Sequence, residues 1–443
     1  MVSASNFISV DKDLLSSSVN GFLPKVAVIP LSEDDTEGLE VLVREGDRVK
    51  EGDVIAKTKG LHIHSSVPGI VQKIKQMQYS NGKQGLCAFV ALNGAFSYLG
   101  KKSVAQEWQS YESQTILFLL REAGVVNSFG KLIPIATQIK KTKNANSSAV
   151  VVRLFDCDPS FVTESFMASN YLAEVLEGTG IIARAFGVKS VILAYSVTDK
   201  NNLKDRIDSL LAERAFALFG ADTDFSCIGI DTKKYPAGTM HDITAAVKKA
   251  NKSESVEKLG KKDLFVDSCT SLNAYNAVAL RKPLVSTFVH VTGDCLNSAA
   301  MLNVRVGTPL RDIVEQCGGF KRELSKIIIN GIVSGKAVSS LDIPVSRGMK
   351  SVEFVPARQV TFQCGENCVR CGNCRKICPV HLWPGNLFRI AHLSSLENAC
   401  EADKNAYKSV ILCSECGLCN AVCSSRLPLV QTISILKDSY HEE

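Results

Sequence analysis

Cys368-Val-Arg-Cys371-Gly-Asn-Cys374-Arg-Lys-Ile-Cys378-Pro379 is the stretch on which the reading of this chain turns. It returns as Cys413-Ser-Glu-Cys416-Gly-Leu-Cys419-Asn-Ala-Val-Cys423, with Ser424 where the first copy has Pro379. Three thiols at even three-residue steps, then a fourth four residues on, have a physical meaning. One tight loop brings three thiolates to three corners of an iron–sulfur cube, and the fourth cysteine, carried further along the chain, reaches the neighbouring cube. Gly372 and Gly417 let the backbone turn around the cube and aim N–H groups at its sulfurs. The spacing therefore predicts one [4Fe–4S] cluster on Cys368, Cys371, Cys374 and Cys423. It predicts a second on Cys413, Cys416, Cys419 and Cys378. A pair of zinc ribbons is the competing reading, but zinc sites take their thiols as two pairs, which this even spacing does not offer.

Working outward, residues 379–412 separate the two motifs, and Asn386–Val410 reads as helical. That length points to the α-helical ferredoxin type rather than to the small ferredoxins. Two clusters that exchange ligands lie close together, as a conduit for electrons requires. Of the 16 cysteines in the chain, ten fall between 364 and 423. A secreted disulfide scaffold would spread them through a small domain, so the crowding indicates metal in a reducing compartment. Cys364 and Cys400 break the spacing and read as buried or spare thiols. Cys87, Cys157, Cys227, Cys269, Cys295 and Cys317 read as small hydrophobes, with Cys157 set apart by its acidic neighbours.

The chain has 443 residues, enough for about three domains at roughly 150 residues each. Hydrophobic residues make up 45% and charged residues 22%, a globular composition. A net charge of +6 without a Lys/Arg run gives no reason to expect nucleic acid. The N-terminus lacks the basic and apolar regions of a signal peptide, and no apolar run is long enough to cross a bilayer. Any membrane attachment is therefore expected to come through partners.

Residues 1–24 read as a loose, Ser-rich arm. From 25 to 105 short apolar runs alternate with Gly and Asp turns, a β module. Its rhythm, Val43-Arg-Glu-Gly-Asp-Arg-Val49 through Ser65-Ser-Val-Pro-Gly-Ile-Val71, resembles the barrel-sandwich hybrid of lipoyl and biotinyl domains. Lys59 stands where such domains carry a modified lysine but lacks the Met or Asp context, so the module reads as structural. His62 and His64 alternate on one strand face, which fits satisfied or surface histidines better than a metal pair. Residues 106–262 alternate between buried-type strands (149–155, 190–195, 225–230) and helices (113–125, 166–186, 201–219), the pattern of an α/β layer. Residues 263–355 return to strands, with a helix over 308–319 stopped by Gly318-Gly319. The cysteine domain takes 356–443.

The order of these parts, closing in the text CVRCGNCRKICPVHLWP … CSECGLCNAVCSSRLPLVQ, resembles the RnfC subunit family of the Rnf ion-translocating electron transport complex. The likeness runs over nearly the whole chain from about residue 21. It implies a barrel-sandwich hybrid, an α/β domain similar to the flavin subunit of respiratory complex I, an SLBB β-grasp and a ferredoxin domain with two clusters. The SLBB stretch is Val291-Thr-Gly-Asp294 through Val304-Arg-Val-Gly-Thr-Pro-Leu-Arg-Asp312.

The resemblance also implies an FMN and NADH site, and there the sequence departs. The family carries GxGGAGFPT after an AG(I/V)V helix end. Here Ala123-Gly-Val-Val126 continues as Asn127-Ser-Phe-Gly130-Lys-Leu-Ile-Pro134, with Phe129 and Leu132 adding bulk. The family's ECEP is shortened to Asp156-Cys157-Asp158-Pro159. Its YPxGxEKxLI appears as Tyr235-Pro-Ala-Gly238-Thr-Met240, without the Glu. Gly130, Asp156, Asp158 and Gly238 are the residues that match a cofactor site; their other reading is turn and cap chemistry kept for the fold.

Three functions are compatible with these features. The first is a peripheral electron-transfer subunit on the cytoplasmic face of the inner membrane. It would pass electrons to membrane flavin subunits from reduced ferredoxin or flavodoxin rather than NADH, with Arg370, Arg375, Lys376 and Arg389 steering an acidic carrier. The second is a soluble cobalamin reductase of the PduS type, which requires NADH and its own FMN. The third is a scaffold that carries clusters without relaying electrons.

Overall fold

The computed structural model describes residues 2–3, 16–32, 38–143, 149–188, 190–198, 202–219, 224–250, 259, 263–357, 367–393 and 400–440. Cys364 lies outside the described residues.

Residues 26–92 form two small antiparallel sheets that enclose Ile29, Ile55, Ile63, Val71 and Val90. One holds Val26–Pro30, Gln84–Leu92, Gly69–Gln78 and Arg48–Val49; the other holds Glu40–Val41, Val54–Lys57 and His62–His64. Period-two alternation puts one side of each strand into this core. Lys59 sits at a turn closed by Thr58 N–H donating to the Leu61 carbonyl at 2.9 Å. The turn is packed against the next domain, since a Cβ on Gly60 would lie 2.3 Å from Thr137 Oγ1. His62 and His64 are both buried, His62 against Glu122 at 3.2 Å, and burial pushes His64 down to about 3. The module docks through a buried ion pair, Arg305 to Glu51 at 2.8 Å.

The α/β layer is a parallel sheet in the order Asp224–Ile230, Ser190–Ser196, Ala149–Arg153, Leu264–Asp267. The run of buried β-branched residues in Ala149–Arg153 suits a strand covered on both faces. Residues 264–278, set on the SLBB side of the expected 262/263 division, supply this sheet's fourth strand and the helix Ser268–Val278 packed on Leu172–Phe186. Connections run outward from Ala149–Arg153 to one side, then return to its other side at Leu264–Asp267. The order therefore reverses between these two strands, and a crevice opens beyond their C-terminal ends. The single helix expected over 166–186 is two, Thr163–Asn170 and Leu172–Phe186. Asn170 Nδ2 donates to the Phe166 carbonyl at 2.9 Å, and Tyr171 leaves helical geometry to pack its ring on Phe166 and Phe288.

A six-stranded sheet follows, in the order Val19–Asn20, Ala300–Arg305, Ser286–Thr292, Ser351–Pro356, Leu324–Ile329, Lys336–Val338. Helix Leu310–Gln316 ends where expected, with Gly318 and Gly319 at φ 80° and 75°. The arm read as loose is tied at two places: Val19–Asn20 joins this sheet, and Val2–Ser3 pairs with Lys234–Tyr235. The cysteine domain is helical: Asn373–Ile377, Pro384–Ala391, Glu401–Lys408, Leu418–Ala421 and Leu429–Ser439. The helix expected over 386–410 is thus represented by Pro384–Ala391 and Glu401–Lys408, with 394–399 outside the described residues.

Candidate functional site

The two cysteine motifs repeat each other's backbone. Gly372 and Gly417 open the short helices at φ 78° and 73°. Arg370 and Glu415, each two residues after the first cysteine, are both at φ 56°. His381 and Arg426, each three residues after the last cysteine, are at 56° and 51°. Four non-glycine residues in the left-handed region cost of order 1–3 kcal/mol each, so the loop shape is imposed rather than relaxed. The main chain also turns toward the thiols in the same way. Leu382 N–H points at Cys378 Sγ at 3.3 Å, and Leu427 N–H at Cys423 Sγ at 3.4 Å.

The fourth cysteine of each motif lies with the three thiols of the other. Cys378 lines one cavity together with Cys413, Cys416 and Cys419, closed by Leu382 and Ile433. On the other side, Ser424 Oγ, next to Cys423, is 3.8 Å from Cys371 Sγ. Cys423 packs in one apolar group with Cys374, Leu427 and Leu429. A Cβ on Gly385 would lie 3.5 Å from both Cys368 Sγ and Cys374 Sγ, so these sulfurs flank one space. The thiols ring a volume and do not converge on a point: among the described residues no three His, Cys, Asp or Glu side chains are grouped as one metal ion needs. Four separate corners are what a cube asks of its ligands, and the donor set fits that group. Burial pushes Cys413 up to about 11 and Cys419 still higher, so these thiols need a metal's charge to ionise. The two sites differ in setting: Cys368 and Cys371 are exposed, whereas Cys419 is buried and its neighbours half-buried. Cys400 is exposed and begins the helix Glu401–Lys408, apart from both groups.

The crevice at the sheet's switch point is filled by the chain itself. Arg153 and Asp267 end the two strands that flank it. Arg153 Nε and Nη2 grip Glu164 at 2.8 and 2.7 Å, and its Nη1 donates to the Gly238 carbonyl at 2.6 Å. Lys350 Nζ donates to Glu164 at 2.7 Å, to Asp267 at 2.6 Å and to the Ser128 carbonyl at 2.8 Å. Phe129 lies over the Arg153 guanidinium at 4.2 Å. Burial opposes the charge on Asp267, but Lys350 and Arg153 outweigh it and hold the carboxyl at about 2.

The residues matched to a cofactor site are accounted for in the same way. Asp156 accepts from the Glu164 and Ser165 N–H groups at 2.7 and 3.1 Å; burial and the Glu164 charge push it up to about 7. Asp158 accepts from Ser160 on one oxygen and from Val333 and Ser334 on the other. Gly238 is pressed on Cys157, where a Cβ would come within 2.9 Å. Gly130 is exposed, with open space where a Cβ would go. Bare backbone aimed at a flavin or a phosphate is absent from this arrangement among the described residues, and an aromatic ring and an ammonium stand in the crevice. FMN does not fit it. Arg153, Glu164, Asp267 and Lys350 were not singled out from the sequence. The available signal was a charge closing each of two buried runs, Ala149-Val-Val-Val-Arg153 and Leu264-Phe-Val-Asp267.

Comparison with known proteins agrees with this architecture. The family model for the RnfC barrel sandwich hybrid domain matches residues 16–95, that for the SLBB domain 288–331, and that for a 4Fe-4S dicluster domain 365–427. The corresponding subunit of the Na(+)-translocating ferredoxin:NAD(+) oxidoreductase complex of Acetobacterium woodii is 22% identical, over 83% of this chain and 81% of the relative. Its counterpart in the proton-translocating ferredoxin:NAD(+) oxidoreductase complex of Clostridium ljungdahlii is 25% identical, over 82% and 78%. Among solved structures, a chain of an NAD+-reducing [NiFe]-hydrogenase in the H2-reduced state superposes with a TM-score of 0.51 at 15% identity. It covers 80% of this chain and 69% of that one, a likeness of fold. Among the described residues no helix is long and apolar enough to cross a membrane.

Proposed function

This chain belongs to the RnfC family, and on that premise we propose that it is the peripheral electron-transfer subunit of an Rnf-type ion-translocating complex. It carries iron–sulfur clusters. Cys368, Cys371, Cys374 and Cys423 hold one [4Fe–4S] cluster; Cys413, Cys416, Cys419 and Cys378 hold the other. Bound there, the clusters supply one-electron transfer. The observation that carries this reading is the crossed grouping, with Cys378 in the cavity of the second motif and Cys423 beside the thiols of the first.

Electrons reach this subunit from a reduced ferredoxin or flavodoxin rather than from NADH. The crevice that would hold FMN is occupied by Phe129, Arg153 and Lys350. At the exposed end, residues 367–393 contain no Asp or Glu. Arg370, Arg375 and Lys376 stand there around Val369 and Trp383, which are 67% and 51% exposed. Arg389, read as part of the same set, is taken up by Asp403. A basic rim around apolar residues suits an acidic carrier, with charge setting the encounter rate. The outgoing partners are the membrane flavin subunits, and the chain sits on the cytoplasmic face of the inner membrane through them.

The test is anaerobic reconstitution of the full chain. About eight irons per chain, two [4Fe–4S] signals on dithionite reduction and no bound flavin are expected. Reduced ferredoxin should bleach the clusters at a rate that falls with salt. Bleaching by NADH alone, with FMN retained, would overturn the donor assignment and favour the cobalamin-reductase reading. Clusters that accept no electron from any carrier would leave a scaffold.

A further inference from the structure

Two motifs that match the family's flavin site lead to the second cysteine loop. Tyr235, which opens Tyr235-Pro-Ala-Gly238, is 4% exposed, and its hydroxyl donates to the Cys416 carbonyl at 2.7 Å. Asp158 of the acidic motif accepts from Val333 N–H, Ser334 N–H and Ser334 Oγ at 3.1, 2.8 and 2.8 Å. That fixes the turn over 331–335. Its Val333 carbonyl lies against Gly417, where a Cβ would come within 1.9 Å. The Cys416–Gly417 peptide is thus tied at its oxygen by Tyr235 and backed by Val333. The equivalent Cys371–Gly372 peptide is different. A Cβ on Gly372 would meet open space, and among the described residues no side chain donates to the Cys371 carbonyl.

We infer that Tyr235 is a positioning residue that raises the reduction potential of the cluster held by Cys378, Cys413, Cys416 and Cys419, and not that of its twin. The inference rests on the ligand assignment above. A hydrogen bond donated to an amide oxygen draws density from the whole peptide and strengthens its N–H as a donor. The N–H of this peptide is that of Gly417, in the loop that wraps the cluster. Donors around a cluster favour the more negative, reduced state, so removing one lowers the potential. Two elements inherited from a flavin site thereby serve as a bracket for a cluster loop.

Tyr235→Phe keeps the ring and removes the hydroxyl. The full chain, reconstituted with iron and sulfide, is titrated with dithionite and followed by EPR. About eight irons should remain. One of the two midpoint potentials should move to a more negative value, and it should belong to the signal that Cys416→Ser abolishes. Two unchanged midpoints, or a shift confined to the signal that depends on Cys371, overturn the inference. If Tyr235→Phe does not fold, Asp158→Asn, which loosens the 331–335 turn, must move the same Cys416-dependent signal; no movement there overturns it. A wild-type chain that binds no [4Fe–4S] cluster removes the ligand assignment, and this inference with it.

Discussion

Replacing Lys350 by Met takes one cation from a buried group of four charges. The Lys350 side chain is 7% exposed and those of Glu164 and Asp267 are fully buried. Arg153 and Lys350 balance Glu164 and Asp267, so the group is neutral, and Lys350→Met leaves a net buried negative charge. At an effective dielectric of about 20, each of its two ion pairs, at 2.7 and 2.6 Å, attracts by about 6 kcal/mol. That gross attraction is offset by the desolvation of the ammonium, so the measured loss is smaller. Breaking one partner out of a buried network costs about 3–5 kcal/mol, because the uncompensated charge stays behind. For a cooperative unit of 150–250 residues that is a fall of about 6–20 °C in Tm. The assay is thermal unfolding by circular dichroism on wild type, Lys350→Met, and Lys350→Met with Asp267→Asn. The double variant restores neutrality and should recover part of the loss, a coupling of more than about 1 kcal/mol. A Lys350→Met protein with the wild-type Tm, or a double variant whose losses simply add, would refute the claim that this group is a coupled charge network.

Three further outcomes are expected. Cys378→Ser, although it lies in the first motif, should remove the cluster of Cys413, Cys416 and Cys419; a protein that instead loses the Cys371-dependent EPR signal contradicts the crossed grouping. Gly417→Ala should drive a methyl into the Val333 carbonyl at a φ of 73° and cost more than the same change at Gly372, measured as iron bound after reconstitution. The pH dependence has two signs. Asp156, raised to about 7 by burial, contributes stability that is complete below its unfolded value near 3.8 and lost as pH rises toward 7. Asp267, held at about 2, contributes stability present above 3.8 and lost as pH falls through 2. Thermal shifts at pH 5 and 8 should therefore show Asp156→Asn flattening the decline; an unchanged slope assigns the decline to other groups.

The sequence by itself determined the parts whose rules are local. Cluster ligands in a loop are set by spacing, so the cysteines and the two glycines were legible with their grouping, crossed partners included. The strands of the parallel sheet were legible as buried β-branched runs, and the helix ending at Gly318 by its glycine pair. The bulk of Phe129 in the flavin loop could be read, but not what that bulk meets. The tertiary structure decided everything that depends on which distant residues meet. The sheet order brings Arg153 and Asp267 together across a switch point, and Lys350, about two hundred residues further on than Arg153, arrives from another sheet to close the group. Asp156 and Asp158 looked like relics of a cofactor site; in the fold one caps a helix and the other braces the turn beneath Gly417. Tyr235 belongs to a motif from one domain and touches the backbone of another. Such contacts leave no periodicity and no spacing in the sequence, because the burial and charge balance that require them exist only once the chain has folded.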